Sequence, residues 1–437
     1  MLFLRQARVP TAFLNRLFAH VDPLEPSRLC DLRIDGGGLT SIETASTAAV
    51  PAGATVLEAG GALVLPGFVD AHTHLDKTHT WKRAPNRSHS FWDALDTLHR
   101  DRVNWTADDL RRRAGFALRC AWAHGTRAIR THVDTGLPWA ETSHGVLAEL
   151  RAEWRGRIEL QTVPLCAGAS YGEPEGRAVA ALALRHGASA LGGFFQMSPE
   201  LPRQLDALLA LAGEHGVGLD LHVDENGDPA AEVLRATAEA VLRHQFTRSV
   251  VCGHCCSLAV QPPERQRDTI ALVRAAGLRV VTLPMCNLYL QDRSDAGAPP
   301  RTPHWRGVTL LHELLDAGVP LAAASDNVRD AFYAYGDYDP LEVCAQSVRI
   351  GHLDGRLSDA IRLITSAAAD LIDRPEFGRL DPGGPAHLVV TTAHSFSELL
   401  SRPATLRCRI DGKTVSTPRV PDYAELNEPA AFTATHP

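Results

Sequence analysis

The sequence predicts an α/β protein, a (β/α)8 TIM-like barrel joined to a small β-sandwich domain built from both termini. Through the middle of the chain, short apolar strand-like runs alternate with long helical stretches such as residues 178–184. Both ends of the chain instead carry short strand-like pieces interrupted by glycine turns. A repeated strand–helix alternation is typical of a barrel of parallel strands.

The domain boundaries follow from where this alternation starts and stops. Near the N-terminus, residues 31–34 have the pattern of a strand and precede three consecutive glycines. Residues 386–391 and 406–413 have the same character, and the tail after about Asn427 is expected to be loose. The predicted boundaries are 62–379 for the barrel and 1–61 plus 380–437 for the sandwich.

Eight barrel strands are expected, and polar residues lie at several of their carboxyl ends. In such barrels the carboxyl ends of the strands carry the chemistry. The strands are predicted to end near Asp70, His132, Leu165, Gly193, His222, His254, Pro284 and Asp326.

The composition excludes several functional classes. The chain has 437 residues, 45% of them hydrophobic, and a net charge of −7, which argues against a nucleic-acid or anionic-membrane partner. No apolar run reaches about 18 residues, so no membrane span is expected. The nine scattered cysteines and the lack of a secretory signal favour a cytoplasmic protein. The number of chains in the assembly stays open, a homo-oligomer included.

The strongest single motif is His72-Thr73-His74, which follows a buried apolar strand. Residues i and i+2 of a strand point to the same face, so both imidazoles project together from the strand end. Two converging neutral imidazoles suit a divalent transition metal. The alternative is a surface loop with two chance histidines among the 20 of this chain.

The fifth predicted strand ends in His222, with Glu225 three residues later. His222 is the expected third metal ligand, and Glu225 would stand over the metal as a proton carrier. Alone, such a His-x-x-Glu pair is a weak signal that a solvated loop also produces. Its position at a strand end favours the functional interpretation.

The sixth strand ends in His254, whose expected role is to polarise the group under attack. Cys252 and Cys255 form a C-x-x-C pattern there, which is also typical of structural zinc or a redox pair. The chain has no second C-x-x-C to complete a zinc site. Buried cysteines that pack as small apolar residues, Cys256 among them, are the simpler explanation.

Asp326 follows the apolar eighth strand. A buried carboxylate needs a partner, and a metal ion or a bound water would supply one. The alternative role is that of a helix N-cap.

Together, His72, His74, His222, His254 and Asp326 resemble in order and type the ligand set of mononuclear members of the amidohydrolase superfamily. That resemblance implies a terminal β-sandwich beside the barrel and a catalytic metal. Binuclear members carry a carboxylated lysine at the end of strand four, where this chain has none. The resemblance therefore implies one divalent ion per chain, zinc or Fe(II), held by His72, His74, His222 and Asp326.

Further motifs are similar to those of the cytosine deaminase-like family, which includes bacterial cytosine deaminase. They are residues 66–69, 74–76, 130–134, 222–225, 306–309 and 326–328. The chain departs from that enzyme where the base is recognised. Leu165 stands in place of a glutamine, Asn327 in place of an aspartate and Phe332 in place of a tryptophan.

The resemblance implies a hydrolase that releases ammonia from an N-heterocyclic amine such as a cytosine-like pyrimidine or a pterin. Asp326 would take a proton from the attacking water, Glu225 would protonate the ring and His254 would stabilise the developing charge. Release of an alkylamine from a triazine and a non-catalytic scaffold are the alternatives. The candidate substrate contacts are Asp76, His132, Leu165, Asn327, Asp330 and Phe332.

Overall fold

The computed structural model describes residues 1–14, 22–45, 50–136, 138–294, 298–402 and 408–427. Two of the sequence-based expectations fall on other residues. The loose tail after Asn427 and the first two residues of the predicted strand 406–413 lie outside the described part of the chain.

The first sheet is N-terminal. β1 lies between β2, to which it is antiparallel, and β4, to which it is parallel, while β3 extends the sheet beyond β2. The strands are β1 (Leu2–Pro10), β2 (Ser27–Asp35), β3 (Gly38–Thr44) and β4 (Thr55–Glu58).

A second sheet joins residues that are far apart in the sequence. β5 (Val64–Pro66) pairs antiparallel with β14 (His387–Val390), which also pairs with β15 (Cys408–Asp411) and, through it, with β16 (Thr414–Ser416). Side chains of both sheets share one apolar cluster, in which Leu4 and Ile34 come from the first sheet and Leu388 and Ile410 from the second. The two ends of the chain therefore pack together.

The central strands form two parallel sheets, ordered β6-β7-β8 and β9-β10-β11-β12-β13. Single parallel bridges, Thr73 to Asp326 and Ala167 to Phe194, connect the two sheets at both edges. The strands are β6 (Phe68–Thr73), β7 (Thr126–Asp134), β8 (Glu159–Leu165), β9 (Ala190–Phe195), β10 (Gly218–Val223), β11 (Val250–His254), β12 (Arg279–Thr282) and β13 (Leu321–Ala323).

Helices follow these strands and bury their apolar faces against them, because each strand is apolar on the side that faces the helices. The predicted α/β alternation is thus confirmed. The helices are α1 (Phe91–Asp101), α2 (Ala107–His124), α3 (Ala140–Glu153), α4 (Pro174–Arg185), α5 (Leu201–His215), α6 (Val233–His244), α7 (Pro263–Ala275), α8 (Pro284–Leu290), α9 (Leu311–Asp316), α10 (Pro340–Gly351), α11 (Leu357–Arg362), α12 (Ser366–Leu371) and α13 (Phe396–Ser401).

Local sequence explains where a helix ends and the next strand begins. The hydroxyl of Thr106 accepts a hydrogen bond from the Asp109 N–H and caps the start of α2. Gly125 ends that helix at a φ of 103°, and a Cβ there would lie 2.7 Å from Val389 Cγ2. Only glycine meets both conditions, so β7 starts at the next residue. Among the described residues, no helix has the length and hydropathy to cross a membrane.

Candidate metal centre and active site

His72 and His74 project from the end of β6 toward His222 of β10. The Nε2 atom of His222 lies 3.1 Å from Nε2 of His72 and 3.3 Å from Nε2 of His74. All three side chains are buried. Three ring nitrogens that face each other this closely cannot all be satisfied by mutual hydrogen bonds, because each neutral imidazole carries only one N–H.

Asp326 completes this group from the end of β13. Its Oδ1 atom lies 3.2 Å from Nε2 of His74 and 3.7 Å from Nε2 of His72. Neither carboxylate oxygen has a hydrogen-bond partner among the described residues. Ligand atoms about 2.1 Å from a tetrahedral zinc are separated by about 3.4 Å, so these spacings fit a shared ion.

The protonation states also fit a cation. Burial, reinforced by neighbouring titratable groups, holds the pKa of His72, His74 and His222 well below the usual value, so the rings are neutral. Burial raises the pKa of Asp326 to about 7, because the nearby charge of Lys77 offsets the loss of solvent only in part. A divalent ion at the convergence point would supply a positive partner.

Glu225 and His254 lie beside this group and share a neighbour, Asn287 of α8. Nδ2 of Asn287 lies 3.0 Å from Nδ1 of His254, and Oε1 of Glu225 lies 3.5 Å from that same Nδ1. An amide N–H that donates to Nδ1 leaves the imidazole proton on Nε2, which has no partner among the described residues. Burial first, and then the charge of Asp326, raises the pKa of Glu225 well above its usual value.

Two of these residues have a strained backbone. His254 has a φ of 69° and Asp326 a φ of 61°, in the left-handed region that residues other than glycine rarely adopt. Such a conformation costs about 1–3 kcal/mol and persists where surrounding contacts enforce it. At Asp326 the enforcing contact is its N–H, which donates to the carbonyl oxygen of His72 at 2.9 Å.

A cavity of about 340 Å³ opens onto this group. Its catalytic end is formed by His74, His222, Glu225, His254 and Asp326. Much of the remaining wall is apolar. Phe91 of α1 packs between two further rings, with centroids 5.8 Å from Phe194 and 5.7 Å from Phe332. A mostly apolar wall with a few polar groups at one end is typical of a small-molecule site.

Of the six candidate substrate contacts, Leu165, Asn327 and Phe332 line this cavity. The other three lie behind its surface. Asp76 accepts a hydrogen bond from the Asp134 N–H at 2.7 Å.

Asp330 and His132 are the remaining two. Asp330 accepts from Nδ2 of Asn327 at 2.7 Å and from the N–H of Phe332 at 2.8 Å, so it holds the loop that presents both residues. The ring of His132 lies 4.1 Å from that of His72, and its Nε2 lies 3.5 Å from Oδ1 of the buried Asp220. His72, His132 and Asp220 form a second cluster of potential ligand atoms below the first.

Sequence reasoning assigned no role to a charged cluster at another part of the cavity. Nζ of Lys77 lies 3.1 Å from Oδ2 of Asp134, and Nη2 of Arg102 lies 3.3 Å from Oδ1 of the same residue. All three line the cavity. Asp134 ends β7, and its position at a strand end was a usable signal. Arg102, just after α1, carried no motif that could have revealed it.

The cysteines of the C-x-x-C pattern are buried and unpaired. Among the described residues, the groups that could hold a metal consist of histidines and aspartates only. Burial raises the pKa of Cys252 and Cys255 well above the usual value, which keeps them as inert thiols. These observations favour packing over a zinc or redox role.

Comparisons with known proteins agree with this geometry. The model of the amidohydrolase family matches residues 157–410. The chain is 46% identical over 398 residues to pterin deaminase of Rhizobium rhizogenes strain K84, which covers 91% of this chain and 90% of that protein. It is 26% identical over 384 residues to N-isopropylammelide isopropyl amidohydrolase of Pseudomonas sp. strain ADP, which covers 85% and 89%.

Among solved structures, 5-methylcytosine deaminase from Klebsiella pneumoniae, liganded with 5-fluorocytosine, is similar with a TM-score of 0.82. The match has 26% sequence identity and covers 96% of this chain and 98% of that one. The family model spans the strands from β10 to β13 and includes His222, His254 and Asp326. The chain belongs to the amidohydrolase family.

Proposed function

We propose that this chain is a metal-dependent hydrolase that deaminates an N-heterocyclic amine, with a pterin-type double ring as its preferred substrate. The observation that most strongly supports this proposal is the convergence of three histidines and one aspartate beside a buried Glu225, whose pKa burial raises well above its usual value. The name of the 46% identical relative, pterin deaminase, supports the same reaction.

His72, His74, His222 and Asp326 are the proposed ligands of one divalent ion, zinc or Fe(II). When bound, such an ion supplies Lewis acidity that brings the pKa of water toward about 7. Their buried, neutral imidazoles need no proton removed before they bind a metal. No lysine lies on β9, which supports a single ion.

The remaining steps are assigned to this chain's own groups. Asp326 takes a proton from water as the oxygen attacks the ring carbon that bears the amino group. Glu225, which burial keeps protonated, gives its proton to the adjacent ring nitrogen. The Nε2–H of His254 stabilises the developing charge. Asp326 then gives its proton to the amino nitrogen, the C–N bond breaks and ammonia leaves. The proton of the added hydroxyl returns to Glu225, so that a carbonyl remains.

The preference for a double ring rests on the cavity. Its volume of about 340 Å³ lies within the range of small-molecule sites, and its aromatic wall leaves more room than a single pyrimidine fills. Leu165 offers only apolar surface where a pyrimidine edge would need hydrogen-bonding groups.

The architecture that carries this site is proposed to be a (β/α)8 barrel over residues 62–379 and a sandwich over 1–61 and 380–437. The bridges from Thr73 to Asp326 and from Ala167 to Phe194 support closure of the parallel strands into a ring. The shared apolar cluster of the two antiparallel sheets supports the sandwich.

The test is an assay of ammonia release by metal-loaded protein with pterin, cytosine, isocytosine and aminotriazines. Release from pterin, with the deaminated ring identified by mass, is the expected result. The relative that acts on N-isopropylammelide favours a second candidate, alkylamine release from a triazine. Release of isopropylamine without ammonia would select that candidate. Inactivity of metal-loaded protein toward every substrate would favour the scaffold alternative.

A further inference from the structure

The cluster of Lys77, Asp134 and Arg102 lies in the cavity but takes no part in the proposed chemistry. Asp134 forms ion pairs with both cations, with Oδ2 at 3.1 Å from Nζ of Lys77 and Oδ1 at 3.3 Å from Nη2 of Arg102. Its N–H donates to the buried Asp76. The two cations are therefore held side by side at one wall of the cavity.

This wall adjoins the surface on which a substrate ring would rest. Nζ of Lys77 lies 5.0 Å from the ring centroid of Phe332, which itself contacts Phe91. A ring that packs against Phe332 has Lys77 beside it. Arg102 forms an ion pair with the other carboxylate oxygen of Asp134, so Arg102 lies next to Lys77 along the wall.

The charges of the wall do not cancel. Lys77 and Arg102 both face the single carboxylate of Asp134. The other carboxylate that lines the cavity outside the catalytic end is Glu175, which is exposed and accepts from Ser170. Two cations of this wall therefore share one carboxylate.

Arg102 retains free hydrogen-bonding capacity. A guanidinium has five N–H donors in a planar fork, and among the described residues Arg102 pairs with one carboxylate oxygen, Oδ1 of Asp134. Its side chain is 15% exposed, which leaves the remaining donors accessible from the cavity. A planar fork of this kind matches a carboxylate better than a single carbonyl oxygen.

We propose that Arg102, supported by Lys77 and Asp134, is a specificity-determining residue that binds an anionic substituent, a carboxylate, on the part of the substrate remote from the reacting amino group. The inference rests on the proposed function, because it assumes that a heterocyclic ring occupies the cavity.

The experiment compares three pterins as substrates of the metal-loaded enzyme: one with a carboxylate on the ring remote from the amino group, its carboxamide counterpart and the unsubstituted compound. The wild type is expected to prefer the carboxylate by at least about 10-fold in kcat/KM, mainly through KM. Arg102→Gln is expected to abolish that preference while changing kcat/KM of the two neutral compounds by less than about 3-fold. Arg102→Lys, which keeps the charge, should retain part of it.

Arg100→Gln is the matched control, because Arg100 lies in the last turn of α1, two residues before Arg102, is exposed and does not line the cavity. It should behave as the wild type. Equal rates for all three compounds in the wild type, or an equal loss on all three in Arg102→Gln, would overturn the inference. If no pterin is deaminated, the proposed function fails instead. The inference is then tested by calorimetry with the carboxylate-bearing pterin. Binding to the wild type and no binding to Arg102→Gln are expected, and any other result would overturn the inference.

Discussion

The backbone N–H of Asp326 donates a hydrogen bond to the carbonyl oxygen of His72 at 2.9 Å. The carboxylate of the same Asp326 lies 3.7 Å from the His72 imidazole. The last parallel strand thus meets the first one at the candidate metal centre. The positive φ of Asp326 allows both contacts at once, because it turns the carboxylate back toward the imidazoles.

Active enzyme is expected to contain close to one divalent ion per chain. His74→Ala should lose most of that metal and its activity, because it removes one of three converging nitrogens. Metal analysis of purified protein measures the effect. His244→Asn, at an exposed ion pair with Asp206, is the control and should keep its metal. About two ions per active chain would contradict the proposed single site.

The sequence predicted the residues at strand ends well, because strand periodicity and strand termination are local properties. His72, His74, His222 and Asp326 were each expected at such an end. In the structure, the imidazoles of His72 and His74 lie close both to that of His222 and to the Asp326 carboxylate. Their role as ligands remains a prediction.

Groups that reach the cavity through the packing of another segment could not be predicted. Phe91 lies on α1 and Arg102 just after it, and both line the cavity. Their local sequence does not indicate which side of this segment faces the cavity. Asn287 is similar, because its contact with His254 depends on how α8 packs beside β11. Asp330 was expected at the substrate and instead supports the loop that carries Asn327.

Glu225→Gln is expected to lower kcat by at least about 100-fold, because general acid–base catalysis typically contributes about 10²–10⁴-fold. The metal content should stay unchanged, since Glu225 is outside the proposed ligand set. Steady-state kinetics with metal analysis test this. Glu232→Gln, at a surface pair with Arg265, should turn over normally. Normal turnover in Glu225→Gln would remove this residue from the mechanism.

Asn287→Ala should lower kcat by roughly 10–100-fold, because a lost buried hydrogen bond costs about 1–3 kcal/mol and frees His254 to change tautomer. The measurement is kcat across pH at constant metal content. Asn104→Ala, an exposed site near Asp101, serves as the comparison. A variant with wild-type kcat would show that His254 needs no positioning by Asn287.

Asp109 should make stability depend on pH in the acid range. Although burial opposes ionisation, Arg83 and Arg113 hold the pKa of Asp109 at about 2, with contacts of 2.6 and 2.8 Å. A pKa lowered by folding stabilises the protein above about pH 4, and this contribution, roughly 2 kcal/mol, is lost as pH falls toward 2.

Asp109→Asn is therefore expected to lower the free energy of unfolding by about 3–5 kcal/mol at neutral pH, because it leaves the buried Arg113 without its carboxylate partner. The difference in urea midpoint from wild type should shrink between pH 4 and 2. Asp108→Asn, an exposed neighbour, should show no such difference. A deficit that is constant with pH would mean that the Asp109 charge contributes nothing.

Leu165 is expected to make cytosine a poorer substrate than pterin. A side-chain amide at this position could donate to and accept from a pyrimidine edge, whereas Leu165 offers apolar surface only. An unpaired polar group costs about 1–3 kcal/mol, so cytosine is expected to have a kcat/KM at least about 10-fold below that of pterin. Leu165→Gln should raise the ratio of cytosine to pterin, and Leu165→Met, an apolar replacement of similar volume, should leave it unchanged. If wild-type enzyme deaminates cytosine as well as or better than pterin, isocytosine and the aminotriazines, another residue has taken over the role of the missing amide.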